Sequence, residues 1–208
     1  MYLNKPLKEF IEKTSSKTPT PGGGSVAALV GCLGTSLICM VANFTIGNKR
    51  YESVEEEVKH ILKKAEDLKS KFADLISEDI QAYEGVSQAT KMPKDNEEMR
   101  KRRFFTLQER LKKAALVPHK TASSCFQLIK LAQSLLPKAN PNLITDIGVG
   151  VLFAESALQS AIINVEVNLA FIKDKKFNIE RKKELSLILH QAEKIKNDVL
   201  KEVKKKIQ

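Results

Sequence analysis

Residues 65–86 read AEDLKSKFADLISEDIQAYEGV, and their spacing decides the fold class. Apolar side chains recur at Ala65, Leu68, Phe72, Leu75 and Ile76, then at Ala82, Tyr83 and Val86. Steps of three and four residues put all of them on one stripe of a helix, where a strand would alternate at two. The pattern extends to a long amphipathic helix over residues 54–90, broken by Met92, Pro93, Lys94, Asp95 and Asn96. Asp79 is out of character, because it stands in the stripe where an apolar side chain is expected. Its neighbours Glu78, Gln81 and Glu84 fall mostly on other faces. A carboxylate turned toward a core is costly unless it is paired or its pKa rises, and a raised pKa suits a general acid. An aspartate that holds a helix end or a lysine would satisfy the same spacing, so the residues alone leave both readings open.

Working outward, residues 3–13 predict a short amphipathic helix, and residues 14–21 an irregular Ser/Thr/Lys/Pro stretch. Pro21, Gly22, Gly23, Gly24 and Ser25 open an uncharged run over residues 26–47, and residues 48–53 form a turn. A second long helix is expected over residues 97–136, with a kink or interruption at Pro118. Residues 137–145 form a loop, residues 146–173 a largely uncharged helix, and residue 179 onward a charged amphipathic one. Long helices with short connections imply antiparallel neighbours. The expected fold is therefore all-α: one antiparallel bundle over residues 1–208, dimerising through helix faces. Residues 26–46 are long enough to span a bilayer. They are rich in Ala, Gly, Ser, Thr and Cys and are flanked by glycines rather than anchoring aromatics, so the centre of a bundle or the contact helix of a dimer is the better reading, with no membrane.

The 208 residues are 42% hydrophobic and 29% charged, which fits a globular chain. The net charge of +10 favours anionic partners. It concentrates at Lys101, Arg102 and Arg103, at Lys112 and Lys113, and over residues 201–206, but no nucleic-acid motif accompanies it, so none is expected as a partner. Cys32, Cys39 and Cys125 form no CxxC, and the first two would lie about 10 Å apart along a helix, too far for a disulfide. His60, His119 and His190 are scattered, so no metal is expected. His119, beside Pro118, is given no role. Residues 1–12 interleave charge with apolar residues and do not read as a signal peptide, which points to the cytoplasm.

Two further groups could carry chemistry. Gly22, Gly23 and Gly24 leave the backbone bare where a helix presents unpaired N–H groups, a nest for an anion or a polar ring edge, with Ser25 as N-cap or hydroxyl donor. Without the lysine of a P-loop or a preceding strand, the same residues alone read more simply as a flexible turn. In the helix after Asp146, the residues Asp146, Gly150, Ala157, Ser160, Ala161, Asn164 and Asn168 share one face. Small residues and amides there admit either a ligand or another helix, and the helix is the simpler occupant. Glu155 and Glu166 fall on the opposite side.

Taken together, Thr20 to Ala28 (TPGGGSVAA) and Met40 to Gly47 (MVANFTIG) resemble the family of formiminotetrahydrofolate cyclodeaminases and methenyltetrahydrofolate cyclohydrolases. Residues 78–83 (EDIQAY), residues 142–148 with Asp146, and Asn164-Val165 with Asn168 are similar to the same family, in order, from about Leu7 to Phe177. The resemblance implies a helical fold, a dimeric building block, a tetrahydrofolate derivative as substrate, and no metal or further cofactor. It implies that Asp79 is the catalytic acid/base. The substrate-binding residues expected with it are Gly22, Gly23, Gly24, Ser25, Asn43, Tyr83, Asp146, Asn164 and Asn168. Tyr83 would hold Asp79 or the pterin, and Lys49 and Arg50 would attract glutamate carboxylates. The formiminotransferase domain of the bifunctional relatives is not in these 208 residues, which tilts the reading slightly toward the cyclohydrolase. The rival readings are a non-catalytic folate- or anion-binding helical dimer, and a structural or nucleic-acid-binding bundle.

Overall fold

The computed structural model describes residues 5–207. Six α-helices carry the chain: α1 Leu7–Ser15, α2 Gly23–Thr45, α3 Glu55–Thr90, α4 Glu97–Leu135, α5 Ile144–Phe171 and α6 Lys175–Ile207. Short 3-10 turns at Lys49–Val54 and Pro141–Leu143 lead into α3 and α5, and no strand occurs among the described residues. The expected start of the first helix, at residues 3 and 4, lies outside the described residues.

Three boundaries depart from the sequence pattern for local reasons. Helix α6 begins at Lys175 rather than 179 because the Asp174 carboxylate accepts from the Phe177 N–H at 3.0 Å, a cap the apolar pattern does not reveal. Helix α5 begins at Ile144, two residues before Asp146, because the Pro141–Leu143 turn runs straight into it. Helix α4 runs unbroken through Pro118, which is buried; packing on both sides of that turn outweighs one missing N–H. Arg103 donates from its guanidinium to the Thr90 carbonyl at 3.0 and 3.1 Å, closing the end of α3.

Helix α2 lies between α3 and α5, α6 flanks α5 on its other side, and α4 packs beneath the layer. Helices α2 and α5 run antiparallel: Gly23 lies beside Asn164, and Gly34 lies beside Gly150. A Cβ built on Gly34 or Gly150 would stand 3.0 or 3.1 Å from the other's carbonyl oxygen, so these glycines let the two backbones touch. Gly31 makes room in the same way for the Phe72 ring of α3. Ile38, Phe72, Leu75, Leu128, Ile129, Ile147 and Leu158 form the dry centre.

Helix α2 and the stretch Pro141–Phe171 are both long and apolar enough to cross a membrane by length and composition. In the bundle each is buried on its inner side only. The outer side leaves Leu33, Phe44, Leu152, Ile163 and Val167 exposed. The three cysteines are separate thiols: Cys39 and Cys125 are buried and Cys32 half-buried. Burial pushes the Cys125 thiol far above its ordinary value.

Candidate active site

Asp79 projects from α3 toward the first turn of α2. Ser25, fully buried, donates its hydroxyl to Asp79 Oδ2 at 2.7 Å. The Ser25 backbone N–H bonds the same carboxyl. The first N–H groups of a helix lack intrahelical partners and carry its positive dipole end, so a carboxylate is well placed there. This corrects the reading of the glycine run: the anion seated at this helix end is the protein's own Asp79. Ser25 is not the N-cap. That position belongs to Gly22, in an extended conformation with no side-chain cap.

The three glycines differ in what they are needed for. A Cβ on Gly24 would sit 2.1 Å from Asp79 Oδ1, inside the carboxylate. One on Gly23 would meet the Asn164 amide at 3.4 Å, and one on Gly22 would make only an ordinary contact with the Pro19 carbonyl at 3.6 Å. Gly24 is the indispensable one. Burial raises the Asp79 pKa above the ordinary carboxylate value, against the opposing pull of the Ser25 hydroxyl and N–H. A carboxyl so balanced can hold a proton and release it, as an acid–base group must.

The carboxyl opens on a cleft of about 370 Å³. Pro19, Thr20 and the glycines form one wall, Ala82, Tyr83 and Val86 of α3 a second, Leu111 and Ala114 of α4 the floor, and Asn164, Asn168 and Phe171 of α5 the far side. Asn164 donates its amide to the Ser160 carbonyl at 2.8 Å, and Asn168 donates to the Asn164 carbonyl at 2.9 Å. These bonds to their own helix fix both side chains and leave their oxygens as acceptors. Tyr83 lines the cleft half-exposed and makes no bond to Asp79, so the holding role expected of it falls to Ser25.

The structure thus brings together Gly22, Gly23, Gly24, Ser25, Asp79, Tyr83, Asn164 and Asn168. It does not bring Asn43 or Asp146 to them. Asn43 is exposed near the end of α2, twenty residues and roughly 30 Å from Gly23. Asp146 lies in the first turn of α5, at that same far end, and Lys49 and Arg50 lie beyond it. Leu111, Ala114 and Phe171 were not anticipated. Phe171 had a signal, standing two turns on from Asn164 on one face, but the α4 residues had none, since only tertiary packing brings that helix beneath the cleft. Among the described residues no group of three or more His, Cys, Asp or Glu side chains is placed to hold a metal. Much of the basic cluster is engaged within the chain, Lys101 with Glu97 at 2.7 Å and Lys112 with Asp174 at 3.0 Å.

Fold and site define an all-helical protein with a part-buried carboxyl in an amide-rimmed cleft. The chain belongs to the formiminotransferase-cyclodeaminase family, whose sequence profile matches residues 6–187. It is 38% identical to the methenyltetrahydrofolate cyclohydrolase of Methylorubrum extorquens over the full length of both chains. It is 30% identical over 190 residues to the formimidoyltransferase-cyclodeaminase of Sus scrofa, covering 91% of this chain but only 35% of that protein. Its fold superposes on the crystal structure of formiminotetrahydrofolate cyclodeaminase from Thermotoga maritima with a TM-score of 0.83, at 32% identity, covering 99% of this chain and 97% of the other.

Proposed function

We propose that this protein is a cytoplasmic, homodimeric enzyme of one-carbon chemistry that acts on the carbon bridging N5 and N10 of tetrahydrofolate, with Asp79 as general acid/base. The observation that carries the reading is the Ser25–Asp79 hydrogen bond at the head of a ligand-sized cleft: it fixes a part-buried, protonatable carboxyl beside open space. As a cyclodeaminase, the enzyme holds N10 against the formimino carbon on N5; N10 attacks, and Asp79 protonates the departing ammonia. As a cyclohydrolase, Asp79 takes a proton from the water that attacks the methenyl carbon and returns it to N5 as the N5–carbon bond opens, leaving the formyl group on N10. Both routes pass through one tetrahedral carbon between two nitrogens and need one proton at a leaving nitrogen, so one carboxyl serves either.

The acceptor oxygens of Asn164 and Asn168 suit the N–H edge of a pterin, and Val86, Leu111 and Phe171 give its ring apolar contact. No cofactor beyond the folate is required by these steps, and neither nucleic acid nor a membrane belongs to them. Chain length does not separate the two activities, because relatives of comparable length carry both names. The test is to follow methenyl-tetrahydrofolate absorbance with 5-formimino-tetrahydrofolate and with methenyl-tetrahydrofolate in turn. Appearance of the chromophore from the first identifies the cyclodeaminase, and its accelerated loss identifies the cyclohydrolase. Reduced-folate binding without either change would leave a non-catalytic binder.

A further inference from the structure

Helices α3 and α4 run on past the cleft. Asp79 stands at the level of the first turn of α2, and α3 continues to Thr90, roughly 16 Å further. Helix α4 returns from Glu97, and the bond from Arg103 to the Thr90 carbonyl sets the register of the pair. Both flanks of α4 are engaged in this stretch. On one, Gln108 donates to the Phe171 carbonyl at 3.1 Å and accepts from the Lys173 N–H at 2.7 Å, and Lys112 pairs with Asp174. On the other, Arg103 reaches Thr90, and Arg110 lies over Gly85, where an added Cβ would stand 3.3 Å from its side chain. The stripe between those flanks therefore faces the gap between the ends of α3 and α5. At about 100° per residue it comprises Leu111, Leu107, Phe104 and Arg100, within about 60° of one another. Leu111 is the floor of the cleft and Leu107 packs with Val86, so the stripe begins inside the site and runs out of it. Phe104 is about half exposed, with the Phe105 ring edge-on to it at 5.7 Å, and it belongs to neither apolar cluster of the bundle. Arg100 is exposed and makes no ion pair among the described residues; its guanidinium bonds the Lys94 carbonyl alone, at 3.4 Å. Of its basic neighbours, Lys101 pairs with Glu97, and Arg102 falls on the opposite face.

We propose that this stripe of α4 is the subsite for the p-aminobenzoyl-glutamate part of the substrate, with Phe104 against the aromatic ring and Arg100 on the glutamate carboxylates. The assignment rests on the proposed function. With the pterin against Asn164 and Leu111 and the bridging carbon at Asp79, the bond from N10 leaves the cleft between Val86 and Phe171. N10 carries the ring directly, so the ring comes to rest a turn or two of helix beyond Asp79. The glutamate follows one amide later, about three turns out. Leu107 and Phe104 stand at the first of those levels, and the flexible Arg100 side chain brings its guanidinium to the second. An exposed phenyl ring offers an aryl amide an offset face, and the guanidinium fork matches a carboxylate. Lys49 and Arg50, expected from the sequence to attract those carboxylates, lie beyond the far end of α2. Phe104 and Arg100 are positioning residues. Neither approaches the reacting carbon, so their contribution falls on binding rather than on proton transfer.

The test compares one substrate with and without its glutamate, as the tetrahydrofolate and the tetrahydropteroate form of whichever compound the absorbance assay identifies. The wild type is expected to favour the glutamate form about tenfold in kcat/KM, and Arg100→Gln to bring that preference close to unity by raising KM for the glutamate form alone. Arg102→Gln removes the same charge from the opposite face and should keep the preference, which separates a contact from net charge. Phe104→Ala should raise KM about three- to tenfold for both forms with kcat held, and Phe104→Tyr should restore it. A wild type without the preference, an unchanged preference in Arg100→Gln, or an unmoved KM in Phe104→Ala overturns the subsite, while wild-type turnover still upholds the function. Calorimetric titration with 5-formyl-tetrahydrofolate and 5-formyl-tetrahydropteroate reads the same preference without catalysis. A wild type that binds these but converts nothing loses only the proposed chemistry, and the affinity ratio of Arg100→Gln then decides the subsite. A wild type that binds no reduced folate overturns both.

Discussion

Asp79, Ser25 and Gly24 form a unit in which each residue's requirement is set by the next. Replacing Asp79 with Asn keeps the shape and the bond from Ser25 but removes the proton donor of the proposed mechanism, so kcat should fall by about 10² to 10⁴-fold, read by the absorbance assay. The same substitution has a signature in stability. A carboxyl whose folded pKa is raised binds its proton more tightly folded than unfolded, so its contribution is full below the unfolded value and is lost as pH rises through the folded one. Thermal melts should therefore show Asp79→Asn gaining on the wild type as pH climbs from the ordinary aspartate range toward neutrality. Ser25→Ala removes a hydrogen bond that holds the Asp79 pKa down, so the limb of the kcat/KM profile that reports Asp79 should move to higher pH. Gly24→Ala drives a methyl into the carboxylate; a loss of about 1 to 3 kcal/mol in denaturant unfolding, together with lost turnover, is expected, whereas Gly22→Ala should spare both. The stripe of α3 betrayed Asp79 because a charge in an apolar row breaks a local period. Its partnership with Ser25 left no such trace, since 54 residues separate the two and only the fold closes that distance.

At the scale of elements, the helices were legible wherever amphipathic spacing was sustained, and their ends were misread wherever a single side chain or turn decided them. Asp174 starts α6 and Pro141–Leu143 starts α5, and neither leaves a mark in the apolar pattern. Pro118 shows the reverse: a strong local rule predicts a break, and burial on a long helix overrides it. Asn43 and Asp146 show a third case, in which motif spacing does not tell distance. Similarity of motif places residues in one family without saying that they meet in one chain, and the rigid length of α2 keeps them from the cleft. The joint of α2 with α3 is equally specific. Gly31→Ala puts a Cβ 2.6 Å from the Phe72 ring, so chemical denaturation should register a cost of about 1 to 3 kcal/mol with little change in KM.

For the whole molecule, the excess of ten positive charges acts at a distance even though many lysines are individually paired. A folate with a long glutamyl tail should feel that field and a monoglutamate much less. Raising salt from about 50 to about 300 mM shortens the Debye length and should lower kcat/KM several-fold for the former while hardly moving the latter. The buried sulfurs have a consequence of a different kind. With Cys39 and Cys125 sealed in the core and the latter's proton held tightly, neither offers a thiolate to a reagent while the bundle is shut. A chromogenic disulfide should consume Cys32 first and then wait. The lag before the second and third equivalents react is a clock for how often the helices come apart, so the enzyme carries its own gauge of opening with no label attached.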